Sequence, residues 1–229
     1  MNEKIFSVEI LSNRKETPGM HLIRLEKPED YEHIPGQYIK VSIAGSNYFS
    51  YLAIASHPEE SYIELLINLG GVNACKICAL PVGSFLDISQ ALGPGFDVDR
   101  FTGKTIYLVT HGSGISAIKP LIEELRKNRH RFGQILLIYG VRTPADFAFK
   151  PLIRNWMGSI EVYDIISKDP RDLKIWTGEI GHVQHVVLKL KPNPENAVAV
   201  VIGGDEMETG VSEIFKSSGF AENQILKNH

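Results

Sequence analysis

The sequence predicts an antiparallel β-barrel over about residues 1–100, followed by a parallel α/β domain over about residues 104–229. Two observations carry this. Between Ile5 and Ile88, alternating apolar and polar runs recur roughly every ten residues and are set off by Gly and Pro, the pattern of an antiparallel barrel or sandwich. Beyond Phe101-Thr102-Gly103-Lys104 the runs become continuously apolar and alternate with helical patterns, as in a parallel sheet covered on both faces.

The elements follow in order. IFSVEIL starts at Ile5, MHLIRLE follows Pro18-Gly19, and QYIKVSI follows Pro35-Gly36. YFSYLAIAS starts at Tyr48, and SYIELLINL follows His57-Pro58-Glu59-Glu60. A helix is expected from about Asn73 to Leu80, stopped by Pro81-Val82-Gly83. In the second half TIYLVT (105–110) leads through a glycine turn into a helix with Ile118, Leu121, Ile122 and Leu125 on one face. QILLIY (134–139), a helix near 149–156, the run 160–166, AVAVVI (197–202) and a helix near 206–217 complete the pattern.

Composition narrows the function. Of 229 residues, 43% are hydrophobic and 22% charged, ordinary for a globular chain, so no bias toward disorder is expected. A net charge of −3 argues against a nucleic-acid partner or an anionic membrane surface. No apolar run approaches the roughly 18 residues that span a bilayer. The start MNEKIFSVEIL enters a strand pattern directly, without signal or transit features. Two cysteines make no disulfide framework, and a reduced, cytoplasmic location is expected. The histidines show no HxxxH or HExxH spacing, so no metal site is expected, and no Gly-x-Ser-x-Gly elbow occurs.

The chemistry-bearing positions cluster at predicted strand ends. In Val109-Thr110-His111-Gly112-Ser113-Gly114-Ile115-Ser116, glycines let the backbone turn tightly at a helix N-terminus, where free N–H groups suit a phosphate; a tight turn without a ligand is the alternative. Tyr139-Gly140-Val141-Arg142 and Gly203-Gly204-Asp205-Glu206-Met207 place glycines at two further strand ends, where open parallel sheets bind ligands. No acidic residue ends the second strand to take a ribose diol. Arg142 stands there, suited to a cofactor phosphate or to plain solvation. Cys75-x-x-Cys78 reads as a redox pair or as two small helix residues.

PGQY (35–38), the strand end AIAS (53–56), Gly70-Gly71-Val72, GSGIS (112–116), YGVR (139–142) and GGDEM (203–207), in this order, resemble the ferredoxin–NADP reductase-like superfamily. The AIAS strand, LGPGF (92–96) and the ending ILKN (225–228) look closest to its plant "fruit protein" type. The resemblance implies a barrel that holds FAD and a second domain that holds NAD(P)H. Hydride would pass to flavin N5 in the cleft between them, then electrons to an unidentified small-molecule or protein acceptor. It assigns Tyr51, Leu52, Ala53, Ile54 and Ile67 to the flavin, and Gly71, Val72, Asn73 and Ala74 to its pyrophosphate. It assigns Thr110, Gly112, Ser113, Gly114, Ile115, Tyr139, Gly140, Arg142, Gly203, Gly204 and Met207 to the nicotinamide nucleotide. Ser167 and Lys168 fall where the superfamily reads the 2′-phosphate, and with Arg142 they favour NADPH.

The chain departs from the pattern. The usual Arg-x-Tyr-(Ser/Thr) reads Ser50, Leu52 and Ala53, which leaves Leu52 to press on the flavin and implies FAD held less tightly than usual, with Lys76 or the backbone meeting its phosphate charge. Ala117 stands where proline is common and Ile202 where cysteine is common, so no catalytic side chain is named. The alternative function is a non-catalytic or regulatory nucleotide-binding module with a decayed flavin site.

Overall fold

The alternating runs of the first half become six antiparallel strands around one apolar core. The computed structural model describes residues 4–46, 48–168 and 176–228. The strands are β1 (Ile5–Thr17), β2 (Met20–Glu26), β3 (Tyr38–Ile43), β4 (Phe49–Ala53), β5 (Tyr62–Asn68) and, after helix α1 (Val72–Cys78), β6 (Phe85–Ser89). Their order is β4-β3-β6-β1-β2-β5. An Ile54–Leu65 bridge joins the two edges, and the Ala55 N–H donates to the Glu64 carbonyl at 2.7 Å, so the sheet closes and no edge is left open there. Period-2 alternation points Val8, Ile10, Ile23, Leu25, Ile39, Val41, Leu86 and Ile88 inward. Ile77 and Cys78 of α1 complete this core, in which each large side chain contributes about 1.5–3 kcal/mol by leaving water.

PGQY and LGPGF interlock. Gly36 has φ +90°, and a side chain on it would run into the Phe96 ring. The Phe96 N–H donates to the Pro35 carbonyl at 2.8 Å, while the Tyr38 and Leu92 backbones exchange hydrogen bonds of 3.1 and 2.8 Å. The two motifs are therefore one structural joint.

The second half forms a parallel sheet. Its elements are β7 (Thr105–His111), α2 (Ile115–Lys127), β8 (Ile135–Val141), α3 (Lys150–Trp156), β9 (Glu161–Ile166), β10 (Glu179–Ile180), α4 (Val183–Leu190), β11 (Ala197–Ile202), α5 (Asp205–Ser217) and β12 (Ile225–Leu226). The order β10-β9-β8-β7-β11-β12 is parallel throughout. Every residue of β8 and β11 is buried, which is why these strands read as unbroken apolar runs. One face packs on α4 and α5 through Val109, Ile138, Val183, Val187, Val211 and Phe215. The periodicity did not anticipate β10, β12 or α4; the first two have only two residues each, and α4 carries just three fully buried side chains.

The chain divides into two compact units. The first runs to Phe96 and takes in Ser116–Glu124 and Asn228; the second comprises Asp97–Ile115 and Leu125–Lys227. The boundary expected near 98–104 left Ser116–Glu124 out of the first unit. A buried charge cluster explains their place. Lys119, only 4% exposed, donates to the Ala55 carbonyl at 2.8 Å and lies 3.3 Å from Glu64, itself 1% exposed. Glu64 also receives Arg24 Nε at 2.8 Å. Nearby, His57 Nε2 donates to Glu124 at 2.8 Å, while its Nδ1 accepts the Glu59 N–H at 3.3 Å.

Candidate functional site

In the first unit the candidate residues lie on β4 and α1. Directly paired residues of an antiparallel ladder share a face. Ile39 pairs with Leu52 and Val41 with Ser50, so Leu52 and Ser50 lie on the inner face, and Leu52 packs on the barrel core. Tyr38, Lys40, Phe49, Tyr51 and Ala53 share the outer face. Tyr51 is 60% exposed, with Tyr38 and Phe49 edge-on to it at 5.8 and 5.4 Å between ring centroids. Lys40 Nζ stands 4.4 Å from the Phe49 ring centre. Of the two residues assigned to a flavin here, Leu52 is partly buried against the core, and Tyr51 presents the more exposed ring on the opposite face. Ile54 and Ile67 are likewise core residues whose side chains point inward, leaving only their backbones to a ligand. The outer face fits a flavin, because it offers an exposed aromatic ring, the small Ala53 beside Tyr38, and a cation for phosphate charge.

Helix α1 stands beside β4 because Asn73 Nδ2 donates to Ser50 Oγ at 2.9 Å. The Asn73 side chain is thus a strut to β4, and Gly71 precedes the helix without a side-chain cap. The first turn, with Val72, Asn73 and Ala74, carries no acidic residue, and Lys76 belongs to the last turn, at the opposite end from any phosphate at Gly71. Cys75 is exposed and its thiol donates to the Leu69 carbonyl at 3.3 Å; Cys78 is buried, and burial pushes its thiol up to about 11. A thiol raised this far stays protonated at neutral pH, the opposite of what a redox nucleophile needs.

In the second unit the parallel register gathers the remaining candidates at neighbouring carboxyl ends of β7, β8, β9 and β11. Thr110 pairs with both Tyr139 and Ile202, and Gly140 pairs with Ile165. Gly112, at φ +53°, opens the turn Gly112–Gly114 that leads into α2 at Ile115. Thr110 Oγ1 donates to the Ile202 carbonyl at 2.8 Å, and a Cβ on Gly114 would fall 2.8 Å from that carbonyl oxygen. Glycine at 114 is therefore required by the packing itself. Ser113 is partly exposed on the turn.

Several assigned residues prove to be supports. Tyr139 is fully buried; its hydroxyl donates to the Gly112 carbonyl at 3.0 Å and accepts the Ala148 N–H at 3.3 Å. Met207 is buried beneath Gly203, where its methyl occupies the space a side chain would need. A Cβ on Gly140 would strike Val183 at 2.7 Å. The N–H groups expected to face a ligand at the third glycine turn are already engaged. Gly203 donates to Glu208 Oε1 at 2.9 Å and Gly204 to His111 Nε2 at 3.1 Å. Asp205, Glu206 and Glu208 in the first turn of α5 also make this helix start hostile to phosphate. Arg142, Ser167 and Lys168 are exposed side by side, with the Lys168 N–H donating to the Arg142 carbonyl and the Ser167 N–H to the Val141 carbonyl, both at 2.9 Å. Sequence reasoning missed Lys40 and His111. The alternation of QYIKVSI puts Lys40 on the outer face, and His111 adjoins the glycine turn, so both were within reach.

Residues 108–213 match the family described as the oxidoreductase NAD-binding domain. The solved structure of a ferredoxin NADP+ reductase from Neisseria gonorrhoeae, with bound FAD and NADP, superimposes with a TM-score of 0.86 over 99% of this chain and 98% of that one, at 20% identity. The chain has the ferredoxin–NADP reductase-like fold. The CS-b5R domains of human Ncb5or share this fold with a TM-score of 0.86, over 100% of this chain and 70% of that one, at 17% identity. In sequence, the chain is 28% identical over 209 residues to the fruit protein pKIWI502 of Actinidia deliciosa, covering 84% of this chain and 65% of the relative. It is 24% identical over 213 residues to NADH-cytochrome b5 reductase 1 of Dictyostelium discoideum, covering 88% of this chain and 73% of that relative. A third relative, sulfhydrogenase 2 subunit gamma of Pyrococcus furiosus, matches over 64% of this chain and 50% of its own length, so the chain spans less than two thirds of two of these relatives.

Proposed function

We propose that the protein is an FAD-dependent NAD(P)H oxidoreductase of the ferredoxin–NADP reductase type, which passes reducing equivalents from NAD(P)H through flavin to a small-molecule or redox-protein acceptor. The observation that carries the proposal is the outer face of β4, where Tyr51 is exposed with Lys40 on the paired strand. When bound, the flavin supplies the ring that accepts hydride and releases electrons. The chain's part is to bind and orient. Tyr51 offers a ring to stack on, and Lys40 supplies the cation that the strand's missing arginine would have given. The uncapped first turn of α1, at Gly71–Ala74, offers backbone donors to the pyrophosphate.

Backbone donors at Gly112–Ile115 receive the nucleotide phosphates, and Thr110 and Tyr139 hold that turn in shape. The adjacent exposed cations Arg142 and Lys168, with Ser167, support a preference for NADPH, because a 2′-phosphate adds charge that paired cations reward. The fold shared with a reductase holding FAD and NADP supports the cofactor pair. Among the described residues no helix is long and apolar enough to cross a membrane, and the two free thiols support a cytoplasmic location.

Absorption spectroscopy tests the proposal. Protein purified with FAD should be yellow, and its flavin bands should bleach on addition of NADPH. Colourless protein that neither takes up FAD nor oxidises NADPH or NADH would sink the reading in favour of a nucleotide-binding module without flavin chemistry.

A further inference from the structure

We infer that His111 is a positioning residue for the nicotinamide nucleotide: its imidazole wedges the Gly112–Gly114 turn against the Gly203–Gly204 turn and holds both in the binding shape only while unprotonated. The inference rests on the proposed function, because it concerns the same strand ends.

The geometry is specific. His111 is the last residue of β7 and leads directly into Gly112, so its backbone sets the start of the phosphate turn. Its ring reaches across to β11, where a side chain on Gly203 would meet Cδ2 at 2.7 Å and Nε2 at 2.9 Å. The Gly204 N–H donates to Nε2 at 3.1 Å. An acceptor nitrogen carries no proton, so this bond fixes the neutral tautomer with hydrogen on Nδ1.

The surroundings favour that state. His111 is exposed at its outer edge, and partial desolvation of the ring against the Gly203–Gly204 turn holds the imidazole below its ordinary range; the carboxylate of Glu208 opposes this and His182 adds to it. Glu208 is committed elsewhere, accepting the Gly203 N–H and lying 3.4 Å from Lys227 Nζ. Glu208 on α5 and His182 ahead of α4 are the titratable groups whose charge acts on the ring, and Lys227 reaches it only through Glu208. Protonation would set an Nε2–H against the Gly204 N–H, two donors in opposition, and the Gly203–Gly204 turn would have to move. Ring volume matters as well, because Gly203 is bare only to admit the imidazole and the Met207 methyl.

Calorimetric titration of the full-length protein with NAD+, a ligand without the 2′-phosphate that would itself titrate, tests the inference at about pH 8 and about pH 5. Wild-type protein should bind ~3- to 10-fold more weakly at the lower pH, the worth of one hydrogen bond exchanged for a repulsion. His111→Gln, whose side-chain oxygen accepts at every pH, should bind with little change between the two. His111→Phe, which keeps the bulk without the acceptor, should bind weakly at both. The Gly204 amide resonance of the wild-type protein should shift with the imidazole titration. A wild-type affinity that is flat with pH, or a His111→Gln variant that loses affinity in parallel with wild type, overturns the role. Should His111→Gln fail to fold, the Gly204 amide decides: a shift that tracks the imidazole supports the role, and a constant one overturns it. Wild-type protein that binds NADP+ but not NAD+ is judged by the Gly204 amide in the same way, and binding of neither nucleotide at either pH overturns the proposed function, and this role with it.

Discussion

The ring of Phe96 fills the space that a side chain on Gly36 would need, and Gly36 sits at φ +90°, where only glycine is comfortable. Gly36→Ala therefore combines backbone strain with overpacking. The expected loss is roughly 2–5 kcal/mol of unfolding free energy, read from the urea midpoint. Gly19→Ala is the control, since no atom lies within 4 Å of its would-be Cβ. Equal midpoints for the two variants would show that the PGQY–LGPGF joint does not constrain the barrel.

Lys119 should matter more than Arg24, although both contact Glu64. Lys119 is buried and also holds the Ala55 carbonyl, so Lys119→Met strips a donor from a buried oxygen and a counter-charge from a buried carboxylate. A loss of about 3 kcal/mol is expected. The Arg24 side chain is 44% exposed, and water can replace part of what Arg24→Met removes, so a loss of about 1 kcal/mol is expected. Denaturant melts of the two variants compare these directly, and a larger loss for Arg24→Met would contradict the ranking.

Tyr51 and Leu52 are neighbours in sequence and opposite in role. Titrating FAD into Tyr51→Ala should show affinity about tenfold weaker, because an exposed aromatic stacking partner is gone. Leu52→Ala should leave FAD affinity within about twofold while lowering stability by roughly 2 kcal/mol through the cavity it opens in the barrel core. If Leu52→Ala instead weakens FAD and Tyr51→Ala does not, the flavin lies on another surface.

The two faces of β4 mark where sequence reading stopped. The two architectures were legible because period-2 alternation and unbroken apolar runs report burial on one face or on two, and β1–β6 and the central strands β7, β8 and β11 obey those rules. Which side of β4 faces outward was not legible from motif alignment, which counts positions from AIAS and knows nothing of register. The pairing of Lys40 with Tyr51 and of Ile39 with Leu52 decides it. The glycines at 140, 203 and 204 were legible as strand-end glycines, and Gly140 and Gly203 are needed there. Their reason lies in contacts distant along the chain: Val183 against Gly140, His111 and Met207 against Gly203. No local pattern encodes such a contact. Lys119 was hidden for the same reason, since a lysine on a helix reads as solvated until a buried carboxylate from another element is seen beside it.

Asp164 yields the pH prediction. It lies on β9 opposite Tyr139, and its Oδ1 is buried without a hydrogen-bond partner among the described residues. Burial pushes its carboxyl up to about 6 from an ordinary 3.8. A folded-state value above the unfolded one means that the folded protein holds the proton more tightly. The stability tied to that proton is fully present below about pH 4, and it is lost as the pH rises through about 6. At neutral pH the folded state carries a poorly solvated carboxylate. Asp164→Asn removes that charge, so it should raise stability at pH 7 by up to about 2 kcal/mol. It should also flatten the fall in stability between about pH 4 and pH 6. Urea midpoints of wild type and variant across that range are the measurement. A variant that is less stable at pH 7, or whose pH profile runs parallel to wild type, would mean that Asp164 is solvated or paired in solution.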